Sequence, residues 1–214
     1  MPPWGRGEEK RSEEEYMNEV FENIYLRRSV RDYKPDDLPD DIIREVIRAG
    51  TYAPYVMSQP WRFVVIKNKE MISRLSDRAK KLWLDTLDKS SAPEIEGLGD
   101  IERENVKKIM GTPEFNIFYN APVLILLFAA PTGHSHQDVC AAAAENMMLA
   151  ARSLDIGSCW IGFGMPLGYD QDTLAGLKVP EGYRLMVPLV FGYPVKDIQT
   201  APPRDEDVVF NWIT

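Results

Sequence analysis

The chain is poor in cysteine and histidine. Its 214 residues hold two of each: Cys140 and Cys159, His134 and His136. Two cysteines are too few for a disulfide framework or a zinc site of the CxxC kind. His134, His136, Asp138 and Cys140 share a helix start, but their spacing matches no established zinc arrangement, so no metal is expected. Long apolar runs are lacking too. The longest, residues 123–130 between Pro122 and Pro131, is too short to cross a membrane. Residues 1–15 contain no apolar core and do not read as a secretory signal. Basic charge is in deficit, with 25 Lys and Arg against 33 Asp and Glu, for a net charge of -8. That balance argues against general nucleic-acid binding and against adhesion to anionic membranes. The default expectation is a cytoplasmic protein. No GKS or GKT phosphate loop is present, and no Ser or Cys sits in a nucleophile elbow. Gly162 and Gly164 begin a dinucleotide-like fingerprint, but its third glycine is missing and Pro166 falls inside the would-be helix.

What is present suits one domain with a large core, since 44% of the residues are hydrophobic. Residues 1–14, with Pro2, Pro3, Gly5 and Gly7, read as a flexible arm, and residues 15–214 as a single domain. Helical spacing is expected over 15–25, where Met17, Val20, Phe21 and Ile24 fall on one face. Further helices are expected from Asp40 to a stop at Gly50, over 70–87, 101–110 and 170–177, and over 135–154 behind a Ser135/Asp138 capping box. Its alanines make the 135–154 helix slim, suited to central burial or a subunit interface. Strands are expected over 61–67, 123–128, 158–161, 184–191 and 208–213. The 123–128 strand is apolar on both faces, and Pro188 marks 184–191 as an edge or a bulge. The irregular, aromatic stretch 88–119 reads equally as a lid or as a surface excursion packing its aromatics on the core.

Two stretches carry the chemical interest. Residues 27–31 read Arg-Arg-Ser-Val-Arg, after the first helix. Cations there either complement that helix's dipole or gather a phosphate. Residues 53–61 form a Pro-punctuated loop, Ala-Pro-Tyr-Val-Met-Ser-Gln-Pro-Trp, leading into a strand. To these add Arg204 after Pro202-Pro203, and backbone N–H groups where the strand over 158–161 meets Gly162. A flavin asks for cations at its phosphate, a donor at its N5 edge and positive charge near its pyrimidine carbonyls. Each of these signals alone is weak.

Together, Arg27-Arg28-Ser29-Val30-Arg31, Ala53-Pro54 through Gln59-Pro60-Trp61, Gly157 to Gly162, and Gly192-Tyr193-Pro194 with Pro202-Pro203-Arg204 resemble the nitroreductase family in order and spacing. The resemblance runs over roughly residues 20–213. It implies an α+β fold: a three-layer sandwich with a mostly antiparallel central sheet flanked by helices. Helix–strand alternation by itself would suggest a parallel sheet. It also implies an intertwined homodimer with two FMN sites at the interface. Carried over by position, Arg27, Arg28, Ser29, Arg31 and Arg204 would serve the FMN phosphate, ribityl and pyrimidine groups. Pro54, Tyr55, Met57 and Gln59 would line the ring, and backbone N–H groups at Ile161 and Gly162 would face N5 and O4. No catalytic side chain is implied, because the flavin carries the hydride. NADH or NADPH would be the donor and a small electron-poor molecule, a nitroaromatic or a quinone, the acceptor. Reductive dehalogenation, flavin fragmentation and a non-catalytic dimeric flavin-binding protein are the alternatives. Family members often read Ala-Pro-Ser-x-x-Asn-x-Gln-Pro-Trp. Here the loop is one residue shorter, Tyr55 replaces the Ser and the Asn is absent, so an altered substrate pocket is expected there.

Overall fold

The computed structural model describes residues 17–88, 99–131, 136–196, 200–205 and 208–213. The expected arm at 1–14, the capping Ser135 and part of the 88–119 stretch lie outside these. Helix α1 spans Glu19–Leu26. It starts where Asn18 Oδ1 accepts from the N–H groups of Val20, at 3.0 Å, and Phe21, at 3.2 Å. Helix α2 is Asp40–Gly50, with Asp40 and Asp41 at its positive end. Strand β1 (Trp61–Ile66), helix α3 (Lys69–Asp88) and helix α4 (Asp100–Met110) follow. Then come strand β2 (Val123–Ala129), helix α5 (His136–Ser153) and strand β3 (Gly157–Trp160). A 3-10 segment (Gly162–Tyr169), helix α6 (Gln171–Gly176) and strand β4 (Arg184–Gly192) close the list.

The sheet runs β1-β2-β4-β3 with every neighbouring pair antiparallel. Strand β2 explains the layering. All seven of its residues are buried. Val123, Ile125, Leu127 and Ala129 join one core with α2 and α5; Leu124, Leu126 and Phe128 join the other with α3 and the 3-10 segment. Successive strand residues point to opposite faces, so a strand this apolar needs cover on both. The result is the expected α+β sandwich. The slim face of α5 admits α2 closely: a Cβ on Gly50 would stand 2.7 Å from Met147 Cγ.

Several expectations are corrected. Pro188 lies in a central strand, not an edge, paired with Leu126 on one side. In an antiparallel ladder a residue's N–H and C=O point the same way. Pro188 O accepts from Ile161 N–H at 2.9 Å, so its missing donor faces β3 just where that strand ends. The expected bulge exists nearby: Leu127 pairs with Val187 and Phe128 with Leu185, leaving Met186 extra. Residues 208–213 form no strand and are exposed. The apolar face of α1 does not point into this chain's core; Val20, Ile24 and Tyr25 are exposed. Within the 88–119 stretch, Ile117 and Phe118 are fully buried. Opening this part as a lid would expose both, at roughly 3–6 kcal/mol, so this part is a surface excursion that anchors aromatic and apolar side chains in the core rather than a lid.

Candidate cofactor site

Residues 27–33 leave α1 in extended form and lie along the outer edge of β3. Ser29 bridges Ser158 in parallel, and Val30 N–H donates to Ser158 O at 2.9 Å. Beyond them Tyr33 bridges Pro194, Lys34 N–H donates to Tyr193 O at 2.8 Å, and Val195 N–H donates to Asp32 O at 3.1 Å. The close seat depends on Gly157, where a Cβ would stand 2.9 Å from three side-chain atoms of Val30.

Alternation then sorts the side chains. Val30 is buried against Gly157. Arg28 turns back to α1, its Nη1 donating to Tyr25 O at 2.5 Å and Arg27 O at 2.7 Å. The helix-end explanation therefore holds for Arg28. Arg27, Ser29 and Arg31 take the other side. Arg27 Nε donates to Glu145 of α5 at 2.9 Å. Arg31 has no ion pair among the described residues; its guanidinium lies 5.9 Å over the Tyr119 ring. Continuing the parallel register sets Arg27 beside residue 156 and Arg31 beside Trp160. The two ends differ. At the Arg27 end a cavity of about 380 Å³ is lined by Arg27, Arg28, Lys34, Arg152 and Lys196 together with Asp155, which pairs with Arg152 at 3.5 Å, so cations outnumber the one carboxylate there. At the Arg31 end the backbone opens into Gly162. A phosphate suits the first end and a flat polar ring edge the second.

The Ile161 N–H does not serve as a donor to a ligand, because it is bonded to Pro188 O. Gly162 opens the 3-10 segment and is exposed, with nothing within 4 Å of a would-be Cβ. The first N–H groups of a helical turn have no partner inside it, so the Gly162 N–H is left over by its own segment.

Burial raises the Cys159 thiol, while Arg31 and a hydrogen bond from Ser29 pull it back. Burial lifts the Tyr33 hydroxyl far above its usual range, and that hydroxyl donates to Val30 O at 2.6 Å. Tyr33 and Glu145 carry no sequence signal of their own; only Tyr33 had one within reach, by lying two residues past Arg31 on the same strand.

The second predicted wall is elsewhere. The loop over 53–60 precedes β1, at the opposite edge of the sheet. Three inter-strand spacings, about 14 Å, separate β1 from β3. Tyr55 packs edge-on against Trp61 at 5.6 Å. Pro54, Tyr55, Met57 and Gln59 are exposed, and Met57 is left-handed at φ 68°. Arg204 is exposed, and among the described residues no hydrogen bond or ion pair joins it to residues 27–31. One chain therefore brings Arg27, Ser29 and Arg31 to the β3 edge that leads to Gly162, and leaves the 53–60 loop at the opposite edge of the sheet.

A model of the nitroreductase family matches residues 24–193. A protein of Archaeoglobus fulgidus with the provisional name NADH dehydrogenase/NAD(P)H nitroreductase is 29% identical over 192 residues, covering 88% of this chain and 94% of that one. Iodotyrosine deiodinase of Hydra vulgaris is 26% identical over 202 residues, covering 88% and 71%. The crystal structure of a nitroreductase with bound FMN from Bacteroides fragilis superposes with a TM-score of 0.74 at 28% identity, covering 92% of this chain and 100% of that chain.

Proposed function

The chain belongs to the nitroreductase family, and from that premise we propose that it is an FMN-dependent oxidoreductase passing hydride from NADH or NADPH to an electron-poor acceptor such as a nitroaromatic or a quinone. One observation carries the reading: residues 27–31 are docked on β3 with Ser29 against Ser158, which aligns Arg27, Ser29 and Arg31 on one side, toward Gly162. The donor set fits FMN. Arg27 takes the phosphate, exchanging its Glu145 carboxylate for it. Ser29 takes the ribityl hydroxyls, Arg31 the pyrimidine edge, and the Gly162 N–H the N5 edge. When bound, FMN supplies a two-electron carrier between donor and acceptor. The protein binds it, orients it and keeps an arginine beside the ring edge where negative charge collects on reduction.

The acting unit is a homodimer. Residues 53–60 lie across the sheet from Arg31 in their own chain, so a second copy supplies that wall. The surface supports this. Val20, Tyr25, Tyr52, Val56, Phe210, Trp212 and Ile213 are large apolar residues left exposed on one chain. Among the described residues no helix is long and apolar enough to cross a membrane.

The experiment is a flavin spectrum of the purified protein, then anaerobic reduction by NADH and by NADPH. Bleaching of the flavin by either donor and its return on adding a quinone is expected. A flavin that stays oxidised with both donors overturns the nicotinamide-linked reading. Reductive dehalogenation is the second reading, favoured by the deiodinase relative. Loss of iodide from an iodophenol by dithionite-reduced protein, without quinone turnover, would select it.

A further inference from the structure

Arg31 and Arg27 keep different company. Arg27 is bonded to a carboxylate. Arg31 meets the face of Tyr119 instead, and among the described residues its Nη1 reaches only the Ser29 carbonyl, at 3.5 Å. An aromatic face attracts a guanidinium without cancelling its charge, whereas a carboxylate would neutralise it.

Tyr119 is held there against its backbone preference. Tyr119 and Asn120 are consecutive left-handed residues, at φ 54° and 53°. Asparagine accepts that region readily; tyrosine does so at about 1 kcal/mol or more. Such a conformation persists only where its surroundings over-determine it, and here they do. Helix α3 grips the preceding turn twice. Ser76 Oγ accepts from Ile117 N–H at 2.9 Å, and Lys80 Nζ donates to Thr112 O at 2.9 Å and Phe115 O at 3.0 Å. Asn116 Oδ1 accepts from Phe118 N–H at 2.8 Å. Ile117 and Phe118 point into the core, and the reversal after them swings Tyr119 back beneath Arg31.

We propose that Tyr119 is a positioning residue: its ring holds the Arg31 guanidinium beside the pyrimidine edge with its charge uncompensated, and so favours the reduced over the oxidised form of bound FMN. The assignment rests on the FMN reading above. Nothing is transferred to or from Tyr119; it acts through Arg31. Lys80 and Ser76 act one step further back, by fixing the turn.

The test is the affinity for oxidised FMN and the reduction potential of the bound cofactor, in wild type and in Tyr119→Asn, which suits the left-handed backbone and removes the ring. The variant is expected to lose about three- to tenfold more affinity for reduced than for oxidised FMN, read as a potential lower by about 15–30 mV. Tyr119→Phe keeps the ring and is expected to keep the potential. In an Arg31→Gln background Tyr119→Asn is expected to add nothing, since the partner it positions is gone. An unchanged potential in Tyr119→Asn, or a shift of the same size without Arg31, overturns the proposal. Should Tyr119→Asn fail to fold, Tyr119→Leu decides on the same readout. The wild-type binding measurement separates the two levels. No FMN binding overturns the cofactor reading and this inference with it, whereas normal binding with an unmoved potential overturns this inference alone.

Discussion

The two stretches that look most like a binding site are built in opposite ways. Residues 27–33 are locked on the outer edge of β3 by backbone bonds, a glycine seat and bridges to the 193–195 segment. Residues 53–60 stand at the other edge with Val56 and Met57 almost wholly exposed. The first is finished within one chain and the second is not. A binding wall that must meet a partner can be left loose on its own chain, because assembly supplies the missing contacts. A wall that must present charge at fixed spacing cannot, since misplaced cations lose most of their hydrogen-bond energy.

The largest effect is expected where the finished wall meets the cofactor. Arg31→Gln removes a charge-assisted contact of about 1.5–3 kcal/mol, so FMN affinity is expected to fall about ten- to a hundredfold by fluorescence titration. Arg28→Gln, on the opposite side of the strand, is expected to change it far less. Equal losses would mean that the sorting by alternation is wrong. Next comes the seat itself. Gly157→Ala drives a methyl into Val30 and is expected to cost about 1–3 kcal/mol in urea unfolding, with FMN retention falling in step. If stability falls and FMN retention does not, the 27–33 strand is not the anchor.

The Arg78–Asp170 pair is a control that touches neither wall. Arg78 holds the Asp170 carboxyl well below the usual carboxylate range, at about 2, helped by hydrogen bonds from Thr173. Because the folded value is depressed, this stabilisation is fully present above the unfolded carboxylate range near pH 4 and drains away as the pH falls toward 2. Asp170→Asn is expected to lower stability by about 1 kcal/mol at pH 7, to flatten the acid limb of the melting curve, and to leave FMN affinity alone. The smallest effect belongs to the unfinished loop. Met57→Ser is expected to change the unfolding energy of a single chain by less than about 0.5 kcal/mol. Yet it is expected to weaken dimerisation in sedimentation experiments and to slow turnover. A variant that melts early while remaining dimeric would show the loop finished within its own chain.

Legibility followed the range of the interactions. The 27–31 cluster and the Gly162 opening could be seen in residue types and spacing, but Arg28 was grouped there with Arg27, Ser29 and Arg31, and only the docking on β3 put it on the other side. Ile161 could not be separated from Gly162, since its N–H is taken by Pro188, 27 residues away in the chain. The apolar stripe of α1 was visible, but a stripe demands cover without naming the chain that provides it. Pro188 read as an edge or bulge signal; only the ending of β3 made room for it inside the sheet. Tyr119 showed only as one of the aromatics of the 88–119 stretch, because its place beneath Arg31 comes from a turn held by α3.

The amino-acid sequence by itself determined most of the element types, the doubly buried β2 and the ordered set of family motifs. These rest on periodicity, composition and short spacings, which a chain carries wherever it goes. The tertiary structure alone decided that residues 27–33 join β3 while residues 53–60 stand at the opposite edge. It also decided that Arg28 turns to a helix end while Arg31 keeps its charge over a tyrosine ring. Strand order and register set those outcomes, and both depend on contacts between residues far apart in the chain.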